Sequence, residues 1–134
     1  MPNRPVTVNV DFKNVTIQNG VPSGLPVWNV VPTKVKCHNG QNNIIWTLSA
    51  TNIPTGCTAM FPGVSPIVFN ASPVWPGDDP AKQSDGTVTA GDNFQNQAAS
   101  VEFGYTVNVT LQDGSNYYDF PHDPDVENAS GDGK

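Results

Sequence analysis

Strict alternation of apolar and polar residues between positions 101 and 112 is the feature that most constrains how this chain folds. Successive side chains of a β-strand point to opposite faces, so a repeat of two residues indicates a strand with one buried and one solvated face. The apolar members are Val101, Phe103, Tyr105, Val107, Val109 and Leu111. Asp113-Gly114 follows at once and predicts a tight turn into a second strand over residues 116–120. The C-terminal part of the chain is therefore predicted to be a β-hairpin.

Shorter stretches with strand character precede this hairpin and are separated by Gly, Pro and Asn-Gly turn signals. They lie at residues 6–12, 15–17, 27–31, 33–38, 44–48, 57–61 and 67–69. Seventeen valines against three leucines also favour pleated sheet over helix. The prediction is an all-β chain that forms a single antiparallel sandwich of seven to nine strands, with a jelly roll as the alternative. Its predicted core includes Val8, Val35, Trp46, Phe69, Phe103, Tyr105 and Val107.

Cys37, Trp46 and Tyr105 carry a resemblance within this fold class. A cysteine followed nine residues later by a tryptophan on the next strand resembles the start of an immunoglobulin-like or fibronectin-like sandwich. Tyr105 stands where such domains place a tyrosine corner, and Val107 stands where the second cysteine would be. The resemblance thus implies the fold without its inter-sheet disulfide. Because no signal peptide is visible, Cys37 and Cys57 are interpreted as free thiols rather than a bridge.

Charge excludes some classes of partner. Six basic residues against twelve acidic ones give a formal charge of −6, so a nucleic-acid partner is not expected. No apolar run is long enough for a membrane helix, and membrane insertion is not expected either. The absence of a visible signal peptide makes the cytoplasm the default compartment. The low-charge polar composition is more typical of exported proteins, so localisation stays open.

Residues 72–96 are predicted to be a long loop with only a weak strand at 87–89, and such loops are often functional. Trp75, Asp78, Asp79 and Asp85 are the predicted ligand-binding residues in this loop. A tryptophan beside carboxylates can stack on a sugar while the acids bind its hydroxyls. The alternative for Trp75 is a cap on the open end of the sandwich.

Asp123, Asp125 and Glu127 occur at every second residue of an acidic tail and are the candidate metal ligands. Hard cations such as calcium bind several oxygen ligands, which acidic segments supply. The alternative is that these are solvated acids that keep the protein soluble. Calcium is therefore the one cofactor considered, and residues 122–134 are predicted to be a flexible tail after a sandwich domain over residues 1–121.

The same tail carries a second resemblance. The segment over residues 122–128, His-Asp-Pro-Asp-Val-Glu-Asn, resembles the C-terminal signature of small bacterial proteins of the DP-EP family. The resemblance implies a compact, β-rich, single-domain bacterial protein of unknown function, and it transfers no catalytic residue. The Glu-Pro partner of that signature is missing here, since Asn128 follows Glu127.

Catalytic motifs are absent from the sequence. There is no nucleophile elbow, and Cys37 and His38 are neighbours on one strand, so their side chains point to opposite faces. The chain is therefore interpreted as a non-catalytic binding or structural and assembly module whose partner is a protein or a glycan. The alternatives are a calcium-dependent carbohydrate-binding protein and a small hydrolase. A homo-oligomer is also considered, because prolines around residues 22–32 indicate a sheet edge.

Overall fold

The computed structural model describes residues 4–23, 26–38, 40–71, 75, 77–94 and 100–124, which form twelve β-strands. The strands are β1 (Arg4–Lys13), β2 (Thr16–Gln18), β3 (Val21–Ser23), β4 (Val27–Val31), β5 (Lys34–His38), β6 (Gly40–Thr51), β7 (Cys57–Met60), β8 (Ile67–Phe69), β9 (Ala81–Lys82), β10 (Val88–Phe94), β11 (Ser100–Asp113) and β12 (Asn116–His122). The prediction of an all-β chain, consistent with a sandwich, is confirmed. No helix in the described ranges has the length and apolarity that crossing a membrane requires.

One five-stranded sheet has the order β4-β1-β6-β10-β9. All of its pairs are antiparallel except β1 with β6, which run parallel over ten residues each and depart from the purely antiparallel prediction. Each of these parallel strands is followed by an asparagine with positive φ, Asn14 at 65° after β1 and Asn52 at 53° after β6. The Asn52 side chain donates a hydrogen bond of 2.8 Å to Asn14 Oδ1, so the two strands end together.

Strand β11 organises the second sheet, because four other strands pair with it, all antiparallel. β12 pairs with its residues 107–113 through the predicted Asp113-Gly114 turn, where Gly114 has a φ of 61°. β5 pairs with residues 100–104, β8 with 105–107 and β7 with 110–113. A separate small hairpin joins β2 to β3 through Asn19-Gly20, both with positive φ.

The core lies where the apolar faces of the two sheets meet. Six of the seven predicted core residues have 2% exposure or less, and Phe69 is half-buried against them. A second cluster lies around Phe12, Val15, Val109 and Leu111. The alternating residues of β11 therefore supply both clusters, as the period of two predicts.

Tyr105 and Trp46, on which the immunoglobulin-like resemblance depends, are both fully buried. The Tyr105 hydroxyl donates a hydrogen bond of 2.7 Å to the carbonyl of Pro32, between β4 and β5. A tyrosine corner bonds to backbone only a few residues upstream, whereas Pro32 lies 73 residues earlier. The immunoglobulin-like topology stays a prediction.

The two cysteines do not form a disulfide, which confirms the thiol interpretation. Cys37 pairs with Val101 and Cys57 with Asp113, at opposite ends of β11. At a rise of about 3.3 Å per residue, the two positions lie roughly 40 Å apart along that strand. A bridge would need Cα atoms within about 7 Å.

The prediction of a long loop over residues 72–96 with only a weak strand at 87–89 is wrong for its second half. β9 and β10 form a hairpin there, closed by a turn in which Gln83 N–H donates to Thr87 O at 2.7 Å. Val88 and Ala90 point into the core with 0% and 5% exposure. Burial of these two side chains extends the weak strand expected at 87–89 into β10, which pairs with β6.

Candidate functional site: a groove along the edge of strand β8

Strand β8 is fixed to β11 by hydrogen bonds just before and just after it. Asn108 donates twice to the start, from its amide to Pro66 O and from its side chain to Ser65 O, both at 2.9 Å. At the other end, Asn70 N–H donates to Gly104 O at 2.9 Å. The Asn70 carboxamide lies over Gly104, where an added Cβ would be only 2.5 Å from Asn70 Nδ2. These contacts hold a three-residue strand in one register.

This register determines which backbone groups of β8 point away from β11. Residues of an antiparallel pair alternate between bonding to each other and bonding outward. Pro66 and Asn70 bond to β11, so Val68 does as well, and the N–H and C=O groups of Ile67 and Phe69 point outward. Within the part of the chain that the structure describes, no backbone or side-chain group is bonded to these four. Among the described residues, the outer edge of β8 therefore has no hydrogen-bonded neighbour, and it is called an open edge below.

A groove of about 540 Å³ runs along this edge. It is lined by residues 65 and 67–71 and by Trp75, Asp79 and Pro80 from the segment that follows, and it is called the edge groove below. Side chains from both faces of β8 contribute, since Ile67 is buried while Val68 is 47% exposed. The groove therefore follows the edge of the strand rather than covering one face of the sheet.

Trp75 forms one wall of the edge groove and is itself held on several sides. Its ring stacks on Phe69 with centroids 4.2 Å apart and planes at 12°, and it meets Phe103 edge-on at 5.2 Å. The indole N–H donates to Asp78 O at 2.7 Å. Because one ring face and the N–H are already engaged, Trp75 caps the core at this end, as the alternative interpretation predicted.

Among the described residues that line the edge groove, Asp79 is the one with an ionisable side chain. The neighbouring Asp78 is not part of the lining, and its backbone N–H donates to Gly91 O at 2.8 Å. Both carboxylates belong to exposed residues of a chain with a formal charge of −6. The groove therefore combines an apolar floor with one negative charge at its rim.

Asp85 lies away from the other predicted ligand-binding residues, in the β9–β10 turn. Its Oδ1 accepts hydrogen bonds from the Thr87 amide at 3.0 Å and hydroxyl at 2.7 Å. These bonds lower the pKa of Asp85 below its ordinary value. Asp85 also lines a second, smaller groove of about 260 Å³ with Lys82 and Met60. The structure thus brings Trp75 and Asp79 together and places Asp85 elsewhere.

The predicted metal ligands fall largely outside the described residues. Asp123 lies just after β12 and is half-buried, whereas Asp125 and Glu127 belong to the part that the structure does not describe. Among the described residues, no three His, Cys, Asp or Glu side chains form a group that could hold a metal ion. The tail calcium site stays a prediction.

The contribution of β8 to the site was not predicted from the sequence. The sequence predicts a short strand over Ile67–Phe69, but no residue pattern indicates that one hydrogen-bonding edge of this strand stays open. The informative signal is Pro66, which lacks an N–H and so suits a strand at the margin of a sheet.

Comparison with known proteins does not assign this chain to a family. No family model matches the sequence, and no curated protein matches it. The resemblance of the tail to DP-EP proteins stays a prediction, and residues 125–128 of that signature lie outside the described part.

Proposed function

We propose that this protein is a non-catalytic binding module and that the edge groove is where it holds its partner, a protein or a glycan. The observation that carries the proposal is the coincidence of an open strand edge with a groove of about 540 Å³ lined by apolar side chains. Binding sites in proteins are concave, mostly apolar and supplied with a few placed polar groups. Six of the nine described residues that line the edge groove are apolar, and Ser65, Asn70 and Asp79 supply polar groups.

The lining of the edge groove favours binding over hydrolysis. Asp79 is the single ionisable group among the described residues that line it. Glycoside hydrolysis uses two carboxyl groups on either side of the bond that is cleaved, and nucleophilic hydrolysis uses a nucleophile beside a base. One rim carboxylate matches neither arrangement but suits recognition of a polar or cationic group.

The test is a binding screen followed by variants of the groove. The purified chain is screened against a phage-displayed library of seven-residue peptides and against a glycan array, each with and without calcium. Every ligand found is then titrated against Val68→Lys, which places a long charged side chain in the groove. We expect an affinity loss of about tenfold or more, because the lysine occupies the space that the ligand fills.

The chain offers a matched control. Val64 is 83% exposed and does not line the groove, so Val64→Lys makes the same chemical change elsewhere on the surface. Its affinity is expected to stay within about twofold of the wild type. A screen without a ligand, or ligands that tolerate Val68→Lys as well as Val64→Lys, would refute the proposal. Glycan binding that requires calcium would instead support the calcium-dependent carbohydrate alternative.

Self-assembly through β4 is a second candidate function, and a specific observation favours it. β4 is the last strand of its sheet, with Val27 44% and Val31 56% exposed. If a second copy pairs antiparallel about Asn29, each Val27 meets a Val31 of the other copy on the same face. No charged residue occurs within the strand, so two acidic chains can meet there without opposing carboxylates.

Sedimentation velocity over a range of protein concentrations tests this assembly. We expect a dimer that Val31→Lys converts to a monomer, because an edge lysine blocks strand pairing. Val21→Lys, at a 60% exposed valine of β3, is the matched control and should leave the dimer intact. A wild type that remains monomeric at all concentrations, or a dimer that Val31→Lys leaves unchanged, would exclude this candidate.

A further inference from the structure

We propose that the ligand of the edge groove is an extended peptide segment that adds to β8 as a further strand and places a lysine or arginine side chain beside Asp79. This inference rests on the proposed function and names the class of partner. It combines two observations, namely the outward backbone groups of Ile67 and Phe69 and the carboxylate of Asp79, the one ionisable group among the described lining residues.

The backbone geometry selects an extended chain. Ile67 and Phe69 together offer two N–H and two C=O groups at the spacing of alternate strand residues. A peptide in β conformation supplies the complementary donors and acceptors at the same spacing, which is how strand addition to sheet edges works. A sugar ring does not repeat donors and acceptors at that spacing.

The side chains that line the edge groove determine which side chains the peptide is expected to have. Val68 and Pro80 give the groove apolar contacts, so alternate residues of the peptide are expected to be apolar or β-branched. Asp79 lies in the same lining with no basic residue among the described lining groups. A cationic peptide side chain complements this carboxylate and the net charge of the chain, which is −6.

N-methylation of the peptide tests the backbone contacts directly. The probe is the tightest-binding sequence selected from the seven-residue display library, resynthesised with one N-methyl group at each position in turn. If the peptide adds as a strand, methylation at alternate positions weakens binding about tenfold or more, because those N–H groups bond to β8. Methylation at the positions between them is expected to change affinity less than about threefold.

Amide hydrogen exchange reports the same pairing from the protein side. In the free protein, the Val68 and Asn70 amides bond to β11 and are expected to exchange slowly, whereas those of Ile67 and Phe69 exchange faster. Saturation with the peptide should slow exchange at Ile67 and Phe69 and leave Val68 unchanged. Protection of Ile67 and Phe69 before any peptide is added would show that the edge is already occupied and would overturn the inference.

Neutralising each of two neighbouring aspartates in turn tests whether the carboxylate of Asp79 contributes to peptide binding. Asp79→Asn is expected to weaken peptide binding about twofold to fivefold, as for an exposed ion pair, with a smaller effect in high salt. Asp78→Asn makes the same change at a residue outside the lining and should have no effect. Equal effects of the two variants would contradict a specific contact with Asp79.

The outcomes separate this inference from the proposed function. A ligand that is lost in Val68→Lys but shows no alternation on N-methylation, or one found only on the glycan array, overturns strand addition and leaves the binding function standing. A peptide that binds Val68→Lys as tightly as the wild type overturns both.

Discussion

Replacing Trp75 by alanine tests whether this residue holds the end of the core together. The substitution removes a stacked contact with Phe69, an edge-on contact with Phe103 and a hydrogen bond of 2.7 Å to Asp78 O. Aromatic pairs contribute about 0.5–1.5 kcal/mol each, and a hydrogen bond contributes about 1 kcal/mol. Since Trp75 is half-buried, we expect the free energy of unfolding to fall by about 2–4 kcal/mol, below the upper range for fully buried tryptophans.

Urea unfolding followed by circular dichroism measures this loss. For a chain of this size the expected change corresponds to a fall of roughly 8–16 °C in Tm. Trp75→Phe is the matched control, because it keeps a ring against Phe69 and loses the indole N–H, and it should cost only about 1–2 kcal/mol. If Trp75→Ala lowers the free energy of unfolding by less than about 0.5 kcal/mol with an unchanged m-value, the described packing of this ring is wrong.

The other predictions concern single groups. Tyr105→Phe should lower the free energy of unfolding by about 1–2 kcal/mol, since Pro32 O loses its donor, and urea unfolding that shows no loss would refute this. Burial, followed by the carboxylate of Asp113, raises the pKa of Cys57. Thiol labelling of the native protein at pH 7 should therefore be slow, and Asp113→Asn should accelerate it. Equal labelling rates in the wild type and Asp113→Asn would contradict this. Hydrogen bonds lower the pKa of Asp85, so its contribution to stability is present above an unfolded pKa of about 3.9 and is lost as the pH falls through the lower folded value. Urea unfolding at pH 6 and at pH 3 should therefore show a smaller acid-side loss for Asp85→Asn, whose amide oxygen accepts the same bonds, and an identical loss would contradict it. The predicted calcium site in the tail implies that calcium raises the midpoint of thermal unfolding and that a chelator reverses the rise, and an unchanged midpoint would refute this site.

Sequence periodicity was sufficient to predict the strands that have one buried face. β11 shows this best, because its alternation is long and each apolar member is buried in one of the two core clusters or, for Val101, packs against one. The parallel pairing of β1 with β6 could not be predicted in the same way. Alternation fixes which side chains point inward but carries no information about the direction of the neighbouring strand.

The β9–β10 hairpin shows a different limit. Val88 and Ala90 form only two apolar steps, and prolines and acids surround them in the sequence. Pairing with β6 buries both side chains, so tertiary contacts decide a segment whose local pattern is weak. Asp85-Gly86 is the available turn signal, but the acidic side chain of Asp85 also favours the interpretation as part of a binding loop.

Prediction of the site was partial for a related reason. Trp75 and Asp79 stood out by residue type and do line the groove, whereas Asp85 was grouped with them only by nearness in the sequence. Ile67 and Phe69 contribute through backbone groups, which every residue has. An open strand edge is a property of the sheet arrangement and leaves no mark on residue identity.

The position of β11 along the chain has a consequence for biosynthesis. β5, β7 and β8 all leave the ribosome before β11, the strand with which each of them pairs in the second sheet. Until Ser100–Asp113 has emerged, these three segments have apolar side chains and no sheet to join. A nascent chain stalled before β11 would expose them together, and we expect it to depend on chaperones that shield such segments.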